Sequence, residues 1–201
     1  MTARTVENTT LVAAQAAGFP VGGEPLAVDL ADTLVTVTEP PTDLLTGAGR
    51  CEAFWALQAS RLPAGSRAPS LTQTRALRGA VREILDAHVA RRGPSAAALQ
   101  VINRAAASVP TSRTLAVHSD GTPVVETRWH GRKGAAVTLA AVAQSLIDLL
   151  AEPAAERLRR CANPACSMLF LATDGRRKWC TQNICGNRTR VARHYNRHHG
   201  T

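Results

Sequence analysis

Apolar residues recur at helical spacing through the centre of the chain. Ser70 or Thr72 can cap a helix that runs to about Arg92, and Gly93-Pro94 ends it. Within it the apolar face is formed by Leu77, Val81, Ile84, Leu85 and His88, three and four positions apart. A second helix is predicted to follow, with Ser95 as its cap.

After these helices the period changes from helical to alternating. Residues 115–118 and 124–129 flank the turn signal Asp120-Gly121 and predict a β-hairpin. Residues 27–37 fit a helix and a strand equally well, and residues 1–25 carry no pattern and predict an irregular start. Further helices are predicted over Glu52–Arg61 and through the apolar positions Val137, Val142, Leu146, Leu149 and Leu150.

Four cysteines near the end of the chain form two close pairs. Cys161 and Cys166, then Cys180 and Cys185, give the spacing C-x4-C-x13-C-x4-C. Tetrahedral zinc suits two such pairs, because each pair wraps one edge of the ion while the intervening chain returns to complete the site. We therefore predict one structural Zn²⁺ that is held by four thiolates and closed to water and substrate.

Other uses of these cysteines have to be weighed. His194 and His198 have the i,i+4 spacing of a ligand pair, and two disulfides or unliganded thiols are further alternatives. Between the cysteine pairs the chain offers only a short apolar strand at residues 168–171 and a turn at residues 173–175. So few apolar residues hardly offset the entropy of ordering the segment, so we expect this module to unfold when zinc is removed.

The positive charge of the chain is concentrated in the cysteine region. The 201 residues carry a net charge of +9. Residues 157–201 hold ten basic residues and one acidic residue, whereas the preceding 156 hold 14 of each. This is the pattern of a module that meets phosphates, and a merely solvated surface is the alternative. The candidate nucleic-acid contacts are Arg176, Arg177, Lys178, Asn187, Arg188, Arg190, Arg193 and Arg197.

A basic helix is predicted from Asn187 to about His198. At helical spacing, Arg190, Arg193 and Arg197 fall on one stripe and can contact a phosphate backbone. At the start of this helix, Asn187 and Arg188 either reach base edges or brace the turn beside the metal.

The sequence resembles the CGNR zinc-finger family at Cys185-Gly186-Asn187-Arg188, the tetrapeptide for which that family is named. The resemblance extends over residues 158–161, 166, 169–171, 177–180 and 189–195. It implies a finger that follows a mostly helical N-terminal domain called ABATE, in a stress-related transcriptional regulator that binds nucleic acid. The family shows an LDFxNT-like stretch where this chain has Asp29 to Leu34. Ala31 and Asp32 depart from that pattern, and Asp32 replaces its Asn.

Together these patterns predict an α+β chain that is mostly helical with a small β-hairpin. Residues 1–156 are expected to form the ABATE-like helical domain. Residues 157–201 are expected to form a small, treble-clef-like, four-cysteine zinc finger with a basic C-terminal helix.

The function expected from the sequence is that of a zinc-dependent DNA-binding transcriptional regulator. Its helical domain would sense a small-molecule effector or mediate association, for example as a homodimer. RNA or ribosome binding is one alternative, and docking of the finger on an acidic protein partner is another.

An enzyme is not expected from this sequence. The adjacent residues His118, Ser119 and Asp120 are of the types found in a hydrolytic triad, but the chain has no Gly-x-Ser-x-Gly elbow to present a nucleophile. It also has no Gly-rich phosphate loop. No apolar run approaches the roughly 20 residues that span a bilayer, and the N-terminus is a poor match to a signal peptide. We therefore expect a cytoplasmic protein without a membrane partner, located at the nucleoid if it binds DNA.

Overall fold

The computed structural model describes residues 14, 16–20, 23–131, 133–180 and 185. Its α-helices are α1 (Leu26–Ala31), α2 (Ala48–Leu57), α3 (Leu71–Val89), α4 (Ala96–Ala107) and α5 (Ala135–Ala151), and short 3-10 helices cover Ala59–Arg61 and Pro153–Arg157. Its strands are β1 (Leu34–Val35), β2 (Thr42–Asp43), β3 (Thr111–Val117), β4 (Pro123–Trp129), β5 (Leu158–Arg160) and β6 (Leu169–Leu171). The N-terminal region is mostly helical with small β-hairpins, which confirms the predicted α+β class.

Helix α3 is the central helix of the sequence pattern, and Ser70 caps it. The Ser70 hydroxyl accepts the N–H of Gln73, and the Gln73 side chain accepts the N–H of Ser70, which closes a capping box. The helix ends at Val89 rather than at the predicted Arg92. The reason is local, because Arg91 adopts a left-handed φ of 54° and leaves the helical conformation.

Two other predicted elements differ from the observed ones. The helix predicted over 52–61 is α2, which begins at Ala48, ends at Leu57 and gives way to a 3-10 turn. Residues 27–37, which fit a helix and a strand equally well, divide between α1 and β1. The division falls at Thr33, whose hydroxyl donates to a carbonyl of the last turn of α1 at 2.7 Å.

One apolar core joins the helices. All six residues of α1 are buried, and α1 packs against α3 and α5. Much of the predicted irregular start lies outside the described residues, but Phe19 is 1% exposed and packs edge to face on Phe54 of α2. The apolar stripe predicted for α3 is buried in this core and comprises Leu77, Val81, Ile84 and Leu85.

The strands in the described part of the chain form three antiparallel, two-stranded sheets, in which β1 pairs with β2, β3 with β4, and β5 with β6. The β3–β4 pair is the predicted hairpin, and its turn carries His118, Ser119 and Asp120 in exposed positions. The pair β5–β6 with its connecting loop, residues 158–171, is called the zinc hairpin below. It places Leu158 and Leu169 in the same core as α3, at 2% and 0% exposure. The cysteine region is therefore packed directly on the helical region.

Candidate metal centre

The structure brings the four predicted metal ligands together. The sulfurs of Cys161, Cys166, Cys180 and Cys185 lie within 4.8 Å of one another, and the Cys166 and Cys180 sulfurs are 3.9 Å apart. Zn–S bonds of about 2.3 Å place the sulfurs of a tetrahedral site about 3.8 Å apart. None of the four cysteines is more than 9% exposed. Their number, chemistry and spacing fit a single structural zinc.

The alternatives raised by the sequence can be compared with this geometry. The structure describes all five cysteines of the chain, and no disulfide joins the two pairs. The histidine pair, His194 and His198, lies outside the described residues. Four cysteine sulfurs already supply a full tetrahedral set.

The turn that connects the first two ligands is held by Asn163. Its carbonyl accepts the N–H of Cys166 at 2.9 Å, and its side-chain oxygen accepts the N–H of Ala165 at 3.0 Å. The amide nitrogen of the same side chain donates to the sulfur of Cys185 at 3.5 Å. Asn163 therefore links the first pair of ligands to the last one, as a hydrogen bond from outside the ligand set does in metal sites.

The crowded thiols differ in their affinity for protons. A hydrogen bond from the thiol of Cys180 lowers the pKa of Cys166 to about 5. The same hydrogen bond, together with burial, raises the pKa of Cys180, and burial raises the pKa of Cys185 to about 11. The thiolate form is thus favoured at Cys166, whereas Cys180 and Cys185 hold their protons more tightly. A divalent cation takes all four as thiolates and releases those protons, so the donor set suits zinc.

Two carboxylates of the helical region hold the outer edge of β6. Both oxygens of Asp32 accept the N–H of Leu169, at 3.0 and 3.1 Å, and Glu24 accepts the N–H of Leu171 at 2.9 Å. Burial raises the pKa of both carboxyl groups. Strand β6 therefore bonds to β5 on one edge and to two side chains on the other. Sequence reasoning missed this role, although an acidic residue inside an apolar stretch, as at Asp32, was a signal for it.

Arg82 of α3 holds the zinc hairpin from another side. This side chain donates to the Ser167 carbonyl at 2.8 Å and to Asp86 at 2.9 Å, and it is 3.6 Å from Asp32. Asp86 in turn accepts a hydrogen bond from Arg160 of β5 at 2.6 Å. Arg82 is only 4% exposed, so its contacts with Ser167 and Asp32 are shielded from water, whereas the contact between Asp86 and Arg160 is exposed. The regular helical pattern around Arg82 gave no sign of this role.

The predicted cations before Cys180 lie on one tight turn. The carboxylate of Asp174 accepts the N–H of Arg176 at 2.7 Å and of Arg177 at 2.9 Å, which fixes the turn. The side chains of Arg176 and Lys178 are exposed on either side of Arg177. The other predicted contacts, Asn187, Arg188, Arg190, Arg193 and Arg197, lie outside the described residues.

Arg177 differs from its two neighbours because its side chain turns inward. It donates to the carbonyls of Leu171 and Trp179 at 3.0 and 3.1 Å and to Glu24 at 3.2 Å. Its guanidinium also lies over the ring of Phe170, 4.5 Å from the ring centroid. These contacts use the guanidinium to join the turn, the zinc hairpin and the helical region.

A cleft of about 580 Å³ lies beside the zinc hairpin. It runs between α1, the first 3-10 helix, β4 and α5, and Leu171 of β6 lines it. Of the described residues that line it, Arg61 is the only cation, and it is paired with Asp29 at 2.5 Å. No cation of the described chain pairs with the two lining carboxylates, Asp148 and Glu152. The apolar part of the wall includes Leu26, Leu62, Trp129, Ala141 and Leu149.

Comparison with known families matches both regions of this structure. Residues 24–153 match the ABATE family, whose description is putative stress-induced transcription regulator. The chain belongs to the ABATE family. Residues 157–198 match the CGNR zinc finger, so the two regions named from the resemblance follow in the predicted order. Comparison with curated proteins finds no match to this ABATE-family chain.

The contacts described above join the ABATE region to the CGNR finger. Glu24 and Asp32 lie in the matched ABATE residues, whereas their partners Leu171 and Leu169 lie in the matched finger. The predicted domain boundary after residue 156 stays a prediction. Within the described part of the ABATE-family chain, no helix combines the length and apolar character needed to cross a membrane.

Proposed function

We propose that this ABATE-family protein is a zinc-dependent, non-enzymatic regulator that binds duplex DNA through its CGNR finger. The observation that carries the proposal is that residues 157–201 hold the whole net charge of +9. Arg176 and Lys178 are exposed on a turn fixed by Asp174, next to the zinc ligand Cys180. Cations on a rigid turn contact phosphate oxygens and set the orientation of a protein on its nucleic acid.

The zinc site itself supports a binding function rather than a reaction. A metal with four thiolate ligands has no position left for water or substrate, unlike catalytic zinc with three protein ligands. The role of the metal is then to hold the cysteine turns, and with them the basic residues, in one geometry.

The setting of the aromatic residues favours duplex DNA over single-stranded RNA. Proteins that read single strands stack bases on exposed aromatic rings. Trp179, the nearest candidate, is partly buried and packs against the cysteine cluster. Aromatic residues are only 3% of the chain, which disfavours extensive stacking on other parts of it.

The cleft beside α5 is the proposed effector site of the ABATE region. Asp148 and Glu152 give it a negative charge that favours an organic cation, and its apolar wall favours a hydrophobic body on that cation. Leu171 of the zinc hairpin lines the same cleft, and Glu24 holds its N–H. A bound molecule would therefore touch the finger directly, which gives it a route to alter DNA binding.

A salt-titrated binding assay on zinc-loaded protein tests the DNA proposal, with zinc content measured on the same sample. About four to six phosphate contacts give a slope of roughly −4 to −5 for log affinity against log salt. Arg176→Ala and Lys178→Ala should each reduce the slope by about 1. Arg104→Ala, an exposed arginine on α4, is the matched control and should leave it unchanged.

Three results would count against duplex DNA as the partner. A shallow slope that neither finger variant changes would contradict the phosphate contacts. Single-stranded RNA that competes better than duplex DNA would favour the RNA alternative. Binding to an acidic protein without binding to either nucleic acid would favour a protein-interaction module.

A thermal-shift assay tests the effector site separately. A hydrophobic alkylammonium ion should raise the melting temperature, and the neutral alcohol of the same shape should not. The shift should be lost in Asp148→Asn and kept in Glu156→Gln, an exposed carboxylate outside the cleft. An equal response to the alcohol would contradict a site that selects cations.

A further inference from the structure

The β3–β4 hairpin exposes an unusual amount of apolar surface. Leu115, Val117 and Val125 are 76%, 68% and 61% exposed. Leu115 lies directly opposite Val125, and Val117 is two positions from Leu115, so all three share one face of the hairpin. Contiguous apolar surface of this kind marks an interaction site.

Neither outer edge of this hairpin pairs with another strand of the described chain, and the edge formed by β4 carries the pattern that matters here. Hydrogen bonds from His118 to Thr122 and from His130 to Pro110 show which residue pairs bond across the two strands. Because the antiparallel pattern alternates, the even-numbered residues of β4 bond to β3, and the N–H and C=O groups of Val125, Thr127 and Trp129 are directed to the outer edge. No strand of the described chain pairs with that edge. Such an edge is a template for another strand.

We propose that β4 pairs in antiparallel fashion with β4 of a second copy of this chain, about a two-fold axis at Thr127. This register places Glu126 opposite the partner's Arg128, and the same pair forms again on the other side of the axis. Glu126 and Arg128 then form non-hydrogen-bonded pairs, in which side chains approach most closely, with Cα atoms about 4.5 Å apart. Oppositely charged residues that face each other across strands stabilise the pairing.

Neighbouring registers are less favourable for the same strand. An axis at Glu126 would place Glu126 opposite the partner's Glu126, and an axis at Arg128 would place Arg128 opposite the partner's Arg128. In both registers like charges face each other, which destabilises the pairing. An axis at Val125 would place Pro123 opposite the partner's Thr127, at a position where an N–H is needed and proline has none. The sequence of β4 is therefore self-complementary in the register centred on Thr127.

The apolar face supports the same occupant. The proposed register sets Val125 opposite the partner's Trp129 on the face that carries Leu115. The two hairpins would then form one four-stranded sheet whose apolar residues adjoin across the axis. A symmetric dimer of this kind has a closed, isologous interface, so it ends at two copies. Thr127 and Trp129 also line the cleft beside α5, so this interface adjoins the proposed effector site, but the inference does not depend on the proposed DNA binding.

Sedimentation equilibrium over a range of concentrations tests the proposal, because it measures the molar mass of the zinc-loaded, 201-residue chain. The chain should be a dimer. Glu126→Arg and Arg128→Glu should each weaken dimerisation by about tenfold or more, because each sets like charges opposite each other twice. The double exchange, Glu126→Arg with Arg128→Glu, should restore it. The control Arg104→Glu, on exposed α4, should leave the dimer unchanged.

A cross-link locates the axis independently of stability. In the proposed register Thr127 faces its own copy, with Cα atoms about 5.5 Å apart, which is within reach of a disulfide. Thr127→Cys should therefore form a covalent dimer on mild oxidation, and Thr114→Cys on β3 should not. A chain that is monomeric at every concentration, a double exchange that fails to restore the dimer, or a cross-link through residue 114 would each overturn the proposal.

Discussion

The carboxylate of Asp32 accepts the backbone N–H of Leu169 with both of its oxygens, at 3.0 and 3.1 Å. Asp32 directly follows α1 and Leu169 begins β6, so this contact fastens the zinc hairpin to the helical region. Asp32 is 3% exposed and 3.6 Å from the guanidinium of Arg82. An amide oxygen can accept the same N–H, so Asn at this position can keep the contact without a buried charge.

Replacement of Asp32 by Asn should change how stability depends on pH. Burial raises the pKa of Asp32 well above its usual value, although the Leu169 N–H and the charge of Arg82 oppose this. Between the unfolded pKa of about 3.9 and the folded pKa, the folded state binds more protons, so this group lowers the free energy of unfolding as pH rises. Asp32→Asn removes the titrating group and with it this decrease in the free energy of unfolding.

The stability of Asp32→Asn relative to the unaltered protein should therefore increase from pH 4 upward and level off above the folded pKa. Urea unfolding of both proteins at each pH measures the difference, and loss of zinc at low pH affects both alike. A variant that becomes relatively less stable as pH rises would show instead that the ion pair with Arg82 outweighs the cost of burial.

Removal of Arg82 should destabilise the fold strongly. Arg82→Ala leaves the carbonyl of Ser167 and the carboxylate of Asp32 buried without this partner. Loss of one member of a buried charged network costs about 3–5 kcal/mol. Arg92→Ala removes an exposed partner of Glu83 and should cost about 1 kcal/mol or less. The two free energies of unfolding in urea test this contrast, and equal losses would contradict it.

Elements set by local chemistry were predicted well from the sequence. Helix caps and tight turns depend on residues only a few positions apart, so a short stretch of sequence is enough to predict them. Examples are the caps Ser70 and Ser95 and the turn at Asp120-Gly121. The four metal ligands were found for a similar reason, because zinc imposes a spacing on cysteines that few other roles require.

Contacts between distant segments could not be predicted in this way. Glu24 and Leu171 are 147 positions apart, and nothing in either neighbourhood indicates the other. Arg177 shows the same difficulty at closer range. In the sequence, Arg177 cannot be distinguished from its exposed neighbours. Only the fold, which brings Phe170 and Glu24 close to Arg177, shows that its side chain braces the structure.

Removal of zinc should disorder only part of the finger. The sequence suggested that the whole module unfolds, but Leu158 and Leu169 belong to the main core, which the metal does not hold. Met168 and Phe170 belong instead to the cluster around the cysteines. Chelation should therefore disorder the cysteine turns and leave β5 and β6 paired.

Amide hydrogen exchange with and without chelator separates these outcomes. The N–H groups of Leu169 and Leu171, which bond to carboxylates of the helical region, should stay protected. The N–H of Ala162, which bonds to the Lys178 carbonyl across the cysteine turns, should lose protection. Loss of protection at all three positions would restore the view that zinc holds the whole module.

Arg176 and Arg177 should respond to alanine in opposite ways, although they are adjacent. Arg176 is exposed, so Arg176→Ala should reduce the salt slope of DNA binding by about 1 and leave the melting temperature unchanged. Arg177→Ala removes donors from the carbonyls of Leu171 and Trp179 and should destabilise the fold by about 1–3 kcal/mol. The salt slope of its folded fraction should stay the same.

Melting curves and salt titrations of the two variants check both quantities. A reduced slope in Arg177→Ala with full stability would mean that its side chain leaves these partners to contact DNA.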